Sequence, residues 1–83
     1  MTNDAELKRQ FVLAVYDERG RQDEEHGGPI HDDQHCQEDW REYVAYQIQK
    51  TQDFERCMVK VAALAMAAFE SNRRKHGTDS RQR

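Results

Sequence analysis

The N-terminal third of the chain carries an apolar stripe with the period of an α-helix. The stripe consists of Leu7, Phe11, Ala14 and Val15. Spacings of three and four residues place such side chains on one side of a helix. Asn3 and Glu6 form a capping-box pattern, in which the asparagine accepts from the amide three residues later. The pattern predicts a first helix from about residue 4 to 26, loosened at Gly20, where glycine costs roughly 1 kcal/mol relative to alanine.

The same stripe becomes polar without changing direction. At 100° per residue it continues through Glu18, Gln22 and Glu25, so these side chains are predicted to point where the core residues point. Such carboxylates can bind a divalent cation or act as a general base. The alternatives are that the end of the helix leaves the core and is solvated, or that Glu18 pairs with an arginine such as Arg41.

A second helix is predicted to begin near Gln37, with Cys36 at its N-cap. Its inner stripe consists of Trp40, Tyr43, Val44, Gln47 and Ile48. Tyr46 lies off that stripe and is expected to be exposed. The segment 51–53 predicts a break, with Asp53 capping a third helix from Phe54 to about His76. The break contains neither glycine nor proline, so one continuous helix over 37–76 is the alternative.

The third helix contains the segment CMVKVAALAMAAF, in which Lys60 is the only charged residue. A helix that is apolar nearly all round needs cover on more than one side. Two short helices of the same chain provide little of it, so we predict a homodimer through this alanine-rich helix. The predicted fold is all-α: a three-helix, hairpin-like bundle over residues 1–77 completed by homodimerisation, followed by a disordered tail over 78–83.

The amino-acid composition argues against several classes of function. The 83 residues carry a net charge of −3 and have a mean hydropathy of −1.17. An acidic balance argues against binding nucleic acid, which needs a basic face. Two cysteines are too few for a disulfide framework, and no apolar run approaches 18 residues. These features predict a cytoplasmic protein without a membrane segment.

The segment GGPIHDDQH, residues 27–35, concentrates the candidate chemistry. Pro29 and the adjacent glycines predict a loop, and His31, Asp32, Asp33 and His35 are residue types that ligate divalent metals. A site there would need donors from elsewhere, for which Glu18 and Gln22 are the candidates. The alternative is a polar turn in which the aspartates and histidines bond to the backbone.

Two further patterns have structural interpretations beside functional ones. Cys36 follows His35, and a cysteine at a helix N-terminus can be a nucleophile, but no third, orienting group is identifiable. Cys57 falls inside the apolar helix and is assigned to the core. Trp40, Tyr43 and Tyr46 could stack bases, although the helical spacing of Trp40 and Tyr43 in an acidic chain favours a place in the core.

The order of these motifs resembles a family of small bacteriophage and prophage proteins. Their pattern is E-R-x-R-Q, a short glycine-containing loop, H-D-D-x-H, a polar spacer and an alanine-rich helix ending in acidic and basic residues. The matching positions are Glu18, Arg19, Arg21, Gln22, Gly28, Pro29, His31, Asp32, Asp33, His35, Trp40 and Val59 to Glu70. The resemblance covers about residues 17–74. It implies that the 27–35 segment and the Glu18/Gln22 stripe belong to one feature.

A more distant likeness is to the all-α nucleotide pyrophosphohydrolases of the MazG type, which are dimeric and hold magnesium with an EExxE and an ExxD motif. Here Asp17-Glu18 is followed by Arg21 in place of the third acid, and Glu70 is followed by Arg73 in place of the aspartate. These departures weigh against hydrolysis.

Two hypotheses follow. The first is a phage-type accessory protein without catalysis, which binds a host or phage protein or a small ligand such as a nucleotide through the 18–35 region. The second is a metal-dependent nucleotide hydrolase. The ligand-binding candidates are Glu18, Arg21, Gln22, His31, Asp32, Asp33 and His35, and the metal candidates are the same set without Arg21 and Gln22.

Overall fold

A computed structural model describes residues 3–76 and shows an all-α fold of four helices. The helices are α1 (Asp4–His26), α2 (Gly28–Asp32), α3 (Gln37–Lys50) and α4 (Phe54–His76). The predictions for residue 77 and for a disordered 78–83 tail fall outside the described residues. None of the helices over 3–76 combines the length and apolar character needed to cross a bilayer.

The helix ends follow the predicted capping chemistry. The Asn3 side chain accepts a hydrogen bond from the Glu6 amide at 2.8 Å, and Asp53 accepts from the Arg56 amide at 2.9 Å. Cys36 occupies the N-cap of α3, where its amide donates to the Asp39 carboxylate at 3.1 Å. The break over 51–53 is confirmed, which rules out one continuous helix. Gly20 lies within an uninterrupted α1.

The prediction of a loop over 27–35 is wrong for its first half, where α2 forms a fourth helix. Gly27 ends α1 with a left-handed backbone, φ 100°, which lets the chain turn at once into α2. Pro29 lies in the first turn of α2, where its missing N–H costs no helical hydrogen bond. The proline therefore favours a helix start here and does not prevent a helix.

α4 is the centre of the fold. It contacts α1, α2 and α3, whereas the backbones of α1 and α3 do not come within 8 Å of each other in the described part of the chain. The Cys57 thiol lies 3.6 Å from the Gln47 carbonyl, and Gln37 donates to Asn72, so α3 and α4 run antiparallel. α1 and α3 thus flank α4 as two separate walls.

The core is small, and parts of the predicted stripes lie outside it. Its apolar members are Val15, Trp40, Cys57, Ala63 and Ala67. The stripe prediction for α1 is wrong at Leu7 and Phe11, which are 50% and 43% exposed, because α1 is covered only towards its C-terminal half. The stripe prediction for α3 is wrong at Ile48 and Tyr43, which are exposed, while Tyr46 is exposed as predicted.

Candidate functional site

A cleft of about 630 Å³ opens between α1 and α3. The C-terminal half of α1 forms one wall, and α3 forms the other. α2 lines one end, and α4 contributes Lys60, Leu64 and Ala67 between the walls. The volume is in the range of sites that bind small molecules. The cleft exists because α1 and α3 both pack on α4, while no Cα atom of one comes within 8 Å of a Cα atom of the other in the described part of the chain.

Five candidates from the sequence line this cleft: Arg21, Gln22, His31, Asp32 and His35. The predicted juxtaposition of the polar α1 stripe with the 27–35 segment is therefore present for these side chains. Glu18 and Asp33, the other two candidates, do not line the cleft.

Glu18 is buried and is neutralised by its own helix. Its two carboxylate oxygens accept from the Arg21 guanidinium and from the Gln22 amide. The hydrogen bonds from Arg21 hold the pKa of Glu18 below its ordinary value, against the opposing effect of burial. The charges of Lys60 and Arg56 act in the same direction as Arg21. The inward direction predicted for Glu18 is confirmed, but its partner is Arg21 and not Arg41, which pairs with Glu38.

Asp33 is likewise engaged by the fold. It accepts from the Ser71 hydroxyl at 2.8 Å and from the Arg74 guanidinium at 2.8 to 3.2 Å. These bonds, with those from Arg74 the strongest, lower the pKa of Asp33. Across residues 3–76 no three His, Cys, Asp or Glu side chains are placed to share a metal ion. The predicted five-residue ligand set of Glu18, His31, Asp32, Asp33 and His35 is therefore not assembled.

An array of rings lines the end of the cleft near α2. His31 lies between His26, stacked at 5.8 Å between ring centroids, and His35, edge-on at 4.7 Å. His35 contacts Trp40 and Tyr43 edge-on, at 5.5 and 5.1 Å. Tyr43, which the sequence assigned to the core, is 40% exposed and forms part of this wall.

Several polar groups at the same end lack partners. The Nδ1 atom of His31 and the Nε2 atom of His35 are buried and form no hydrogen bond with described residues. The buried Asp32 carboxylate lies 3.8 Å from Nδ1 of His31, which is beyond hydrogen-bonding distance. Buried polar atoms normally have partners. A ligand at this end of the cleft that forms hydrogen bonds would supply partners for the two imidazole nitrogens.

The other end of the cleft is cationic. Lys60 projects from α4 and Lys50 from the end of α3, where its ammonium lies 5.4 Å from the centre of the Tyr46 ring. Neither lysine has a carboxylate within ion-pair distance among residues 3–76. By contrast, Arg19 is bonded to both Asp23 and Glu70. The two lysines are thus the cations of the cleft that are free to bind an anion.

The lysines, Tyr46, Arg19 and His26 were not among the predicted site residues. Lys60 had a signal in the sequence, since it is the only charge in the apolar stretch of α4. Tyr46 had one as a possible base-stacking residue, whereas Lys50 had none, because its place in the cleft depends on how α3 is rotated against α4.

No protein-family model, curated protein or solved structure matches the chain significantly. The geometry of the cleft is therefore the basis for assigning a function.

Proposed function

We propose that the chain is a non-catalytic binding protein whose α1–α3 cleft takes a nucleotide. The observation that carries the proposal is the polarity of the cleft: unpaired lysines lie at one end, and aromatic rings with unsatisfied polar atoms lie at the other. A nucleotide has the matching polarity, since it carries anionic phosphates at one end and a planar, hydrogen-bonding base at the other.

The dimensions of the cleft agree with this proposal. The carbonyl of Asp32 accepts from the Ser71 hydroxyl at 3.2 Å, which places the ring-lined end beside Ser71 of α4. Lys60 lies eleven residues earlier on the same helix, roughly 16 Å away at 1.5 Å per residue. Gln47 lies beside Cys57 and Gln37 beside Asn72, so Trp40 and Tyr43 lie between these two levels. A base packed on them would direct its phosphates towards Lys60.

Each end has a defined role in the proposed complex. Lys60 and Lys50 bind phosphate oxygens as point charges. Trp40, Tyr43 and His35 provide the aromatic surface against which a base packs, a contact worth about 1–3 kcal/mol per base. Asp32 and the imidazole nitrogens bond to polar edges of the base.

The proposed role is binding and not hydrolysis because two of the three candidate carboxylates, Glu18 and Asp33, are already bonded to other side chains of the chain. Glu18 is bonded to Arg21 and Gln22, and Asp33 to Ser71 and Arg74. A carboxylate held by an arginine is stabilised as an anion and is a weaker base.

Trp40 is the only tryptophan, and it lines the cleft, so its fluorescence reports occupancy. Titration with ATP is expected to change this fluorescence saturably, with a dissociation constant in the micromolar range. Adenosine and inorganic triphosphate should each bind at least tenfold more weakly, since each engages one end only. Equal binding of triphosphate and ATP would assign the site to anions alone. No saturable change with any of the three would refute the proposal.

A further inference from the structure

α4 carries a second apolar surface on the side opposite its buried residues. The buried residues of α4 are Cys57, Ala63, Ala67 and Ser71, the last three at intervals of four residues. The opposite surface, here called the outer stripe, consists of Phe54, Met58, Ala62, Ala65 and Phe69. Its spacing of four, four, three and four residues is typical of a seam between packed helices. Phe54 is 73% and Phe69 60% exposed, so the described part of the chain leaves most of both ends of the stripe uncovered.

The core of one chain buries too few large side chains to account for the apolar composition of α4. Among residues 3–76 no leucine, isoleucine, phenylalanine or methionine is buried. Domains of this length bury little surplus apolar surface, and many are stable only as oligomers. Burial of the outer stripe by another surface is therefore needed for folding itself. This favours a permanent binding partner over a transient one.

We infer that this partner is a second copy of the chain, whose α4 packs antiparallel on the outer stripe about a two-fold axis near Ala63 and Leu64. In this register Met58 faces Phe69 of the second copy, and Ala62 faces Ala65 of the second copy. The alanines at the centre allow the two backbones to approach closely, and the large side chains close the seam on both sides. The stripe is thus complementary to itself when one copy is reversed.

The charges beside the stripe select the same orientation. Glu55 and Arg73 lie eighteen residues, or five helical turns, apart on one flank of the stripe. Antiparallel packing sets Glu55 against Arg73 of the second copy at both ends, whereas parallel packing leaves Glu55 and Arg73 of the second copy five helical turns apart. Neither residue forms an ion pair within residues 3–76. Arg73 also lies over the Phe69 ring, at 4.7 Å from its centroid, and so covers the end of the seam.

The outer stripe faces away from the cleft, because Lys60 and Ala67, which line the cleft, lie on the opposite side of α4. The dimer therefore leaves the cleft open. The inference is independent of the nucleotide proposal, and either can fail without the other.

Light scattering of the full chain at micromolar concentration is the first test, with circular dichroism to confirm that it is folded. The expected mass is twice the 9.8 kDa of one chain. Met58→Asp is expected to weaken the dimer on the order of a hundredfold, about 2.7 kcal/mol. Leu13→Asp serves as the matched control, since Leu13 is 57% exposed on α1 and should leave the dimer intact. A folded chain of 9.8 kDa would overturn the inference, as would loss of the dimer with Leu13→Asp alone.

Cross-linking tests the orientation without depending on the aspartate variant. Met58→Cys and Phe69→Cys chains are prepared separately, each with Cys36→Ser, because Cys36 is exposed. In the antiparallel register the Met58 residues of the two copies lie roughly 16 Å apart along the helix axis. A disulfide requires Cα atoms within about 7 Å of each other, so two cysteines at position 58 cannot form one. A mixture of the two chains should therefore oxidise to a covalent dimer, while each chain alone should not. Covalent dimers of a single chain would show parallel packing, and a dimer that never cross-links in the mixture would assign the interface elsewhere. Either result refutes the proposed seam.

Discussion

Arg74 of α4 holds Asp33, the residue that follows α2, with a two-pronged ion pair. Its Nε atom donates to Oδ2 at 3.0 Å and its Nη2 atom donates to Oδ1 at 2.8 Å. The Ser71 hydroxyl donates to the same carboxylate and to the Asp32 carbonyl. Because His31 and Asp32 precede this anchor directly, it fixes the α2 end of the cleft.

The Asp33–Arg74 pair predicts a specific dependence of stability on pH. Hydrogen bonds from Arg74, and then from Ser71, lower the pKa of Asp33 in the folded chain. A lowered carboxyl pKa stabilises the fold above the unfolded value of about 3.9 and loses that effect as the pH falls through the folded value. Arg74→Met should therefore be less stable than the wild type at neutral pH, and the difference should disappear in acid. Urea denaturation from neutral to acidic pH measures this difference, and a difference that stays constant with pH would show that the ion pair with Arg74 does not stabilise ionised Asp33.

Ser71 is the most buried polar residue of α4, with 1% exposure. Ser71→Ala removes both of its hydrogen bonds to the segment after α2 and should lower the free energy of unfolding by about 1–2 kcal/mol. Gln49→Ala on the exposed face of α3 is the control and should change it by less than about 0.5 kcal/mol. Equal effects of the two substitutions in thermal denaturation would show that the Ser71 bonds do not anchor α2.

Glu18 and Arg21 should be strongly coupled. Arg21→Met leaves a buried carboxylate without its main partner and should cost about 1–3 kcal/mol. Replacing both residues with methionine should restore most of that loss, because an apolar pair needs no compensation. A double-mutant cycle by urea denaturation measures the coupling. Additive effects of the two single substitutions would mean that the charge of Glu18 is satisfied by other groups.

Gly20 and Gly27 should respond in opposite ways to alanine. Gly20 is helical and an added Cβ would meet nothing within 4 Å, so Gly20→Ala should stabilise the chain by roughly 0.5–1 kcal/mol. Gly27 has φ 100°, and its added Cβ would lie 3.4 Å from the Cβ of His31. Gly27→Ala should therefore destabilise the chain by roughly 1–2 kcal/mol. Melting temperatures that move in the same direction would contradict the assigned backbone conformations.

Local features of the fold could be predicted from the sequence, because local contacts determine them. Asn3 and Asp53 cap helices through amides only three residues away, and the long helices have the predicted bounds. α2 was missed because the Gly-Gly-Pro sequence that ends α1 also suits the first turn of a new helix. The exposure of Leu7 and Phe11 depends on how far α4 covers α1. The spacing of apolar residues along α1 predicts which side of the helix is buried, but not how much of its length another helix covers.

The candidate site was predictable in part for the same reason. The stripe through Gln22 and the His31–His35 segment meet in the cleft, as the shared direction of the α1 stripe indicated. The spacing of residues in the sequence did not predict which carboxylates are free to bind a ligand. Asp33 is taken by Arg74, forty-one residues away, and Lys60 enters the cleft only because α1 and α3 diverge on either side of α4.

Calorimetric titration of the wild type, Lys60→Met and Lys8→Met with ATP tests whether Lys60 binds phosphate in the cleft. Lys8 is exposed on α1 and does not line the cleft, so it controls for loss of a positive charge. If Lys60 binds phosphate, Lys60→Met should weaken ATP binding about tenfold or more, about 1.4 kcal/mol, and Lys8→Met should not change it. Adenosine binding should be equal in all three chains. Equal weakening of ATP binding by both lysine substitutions, or by neither, would contradict a nucleotide site in the cleft.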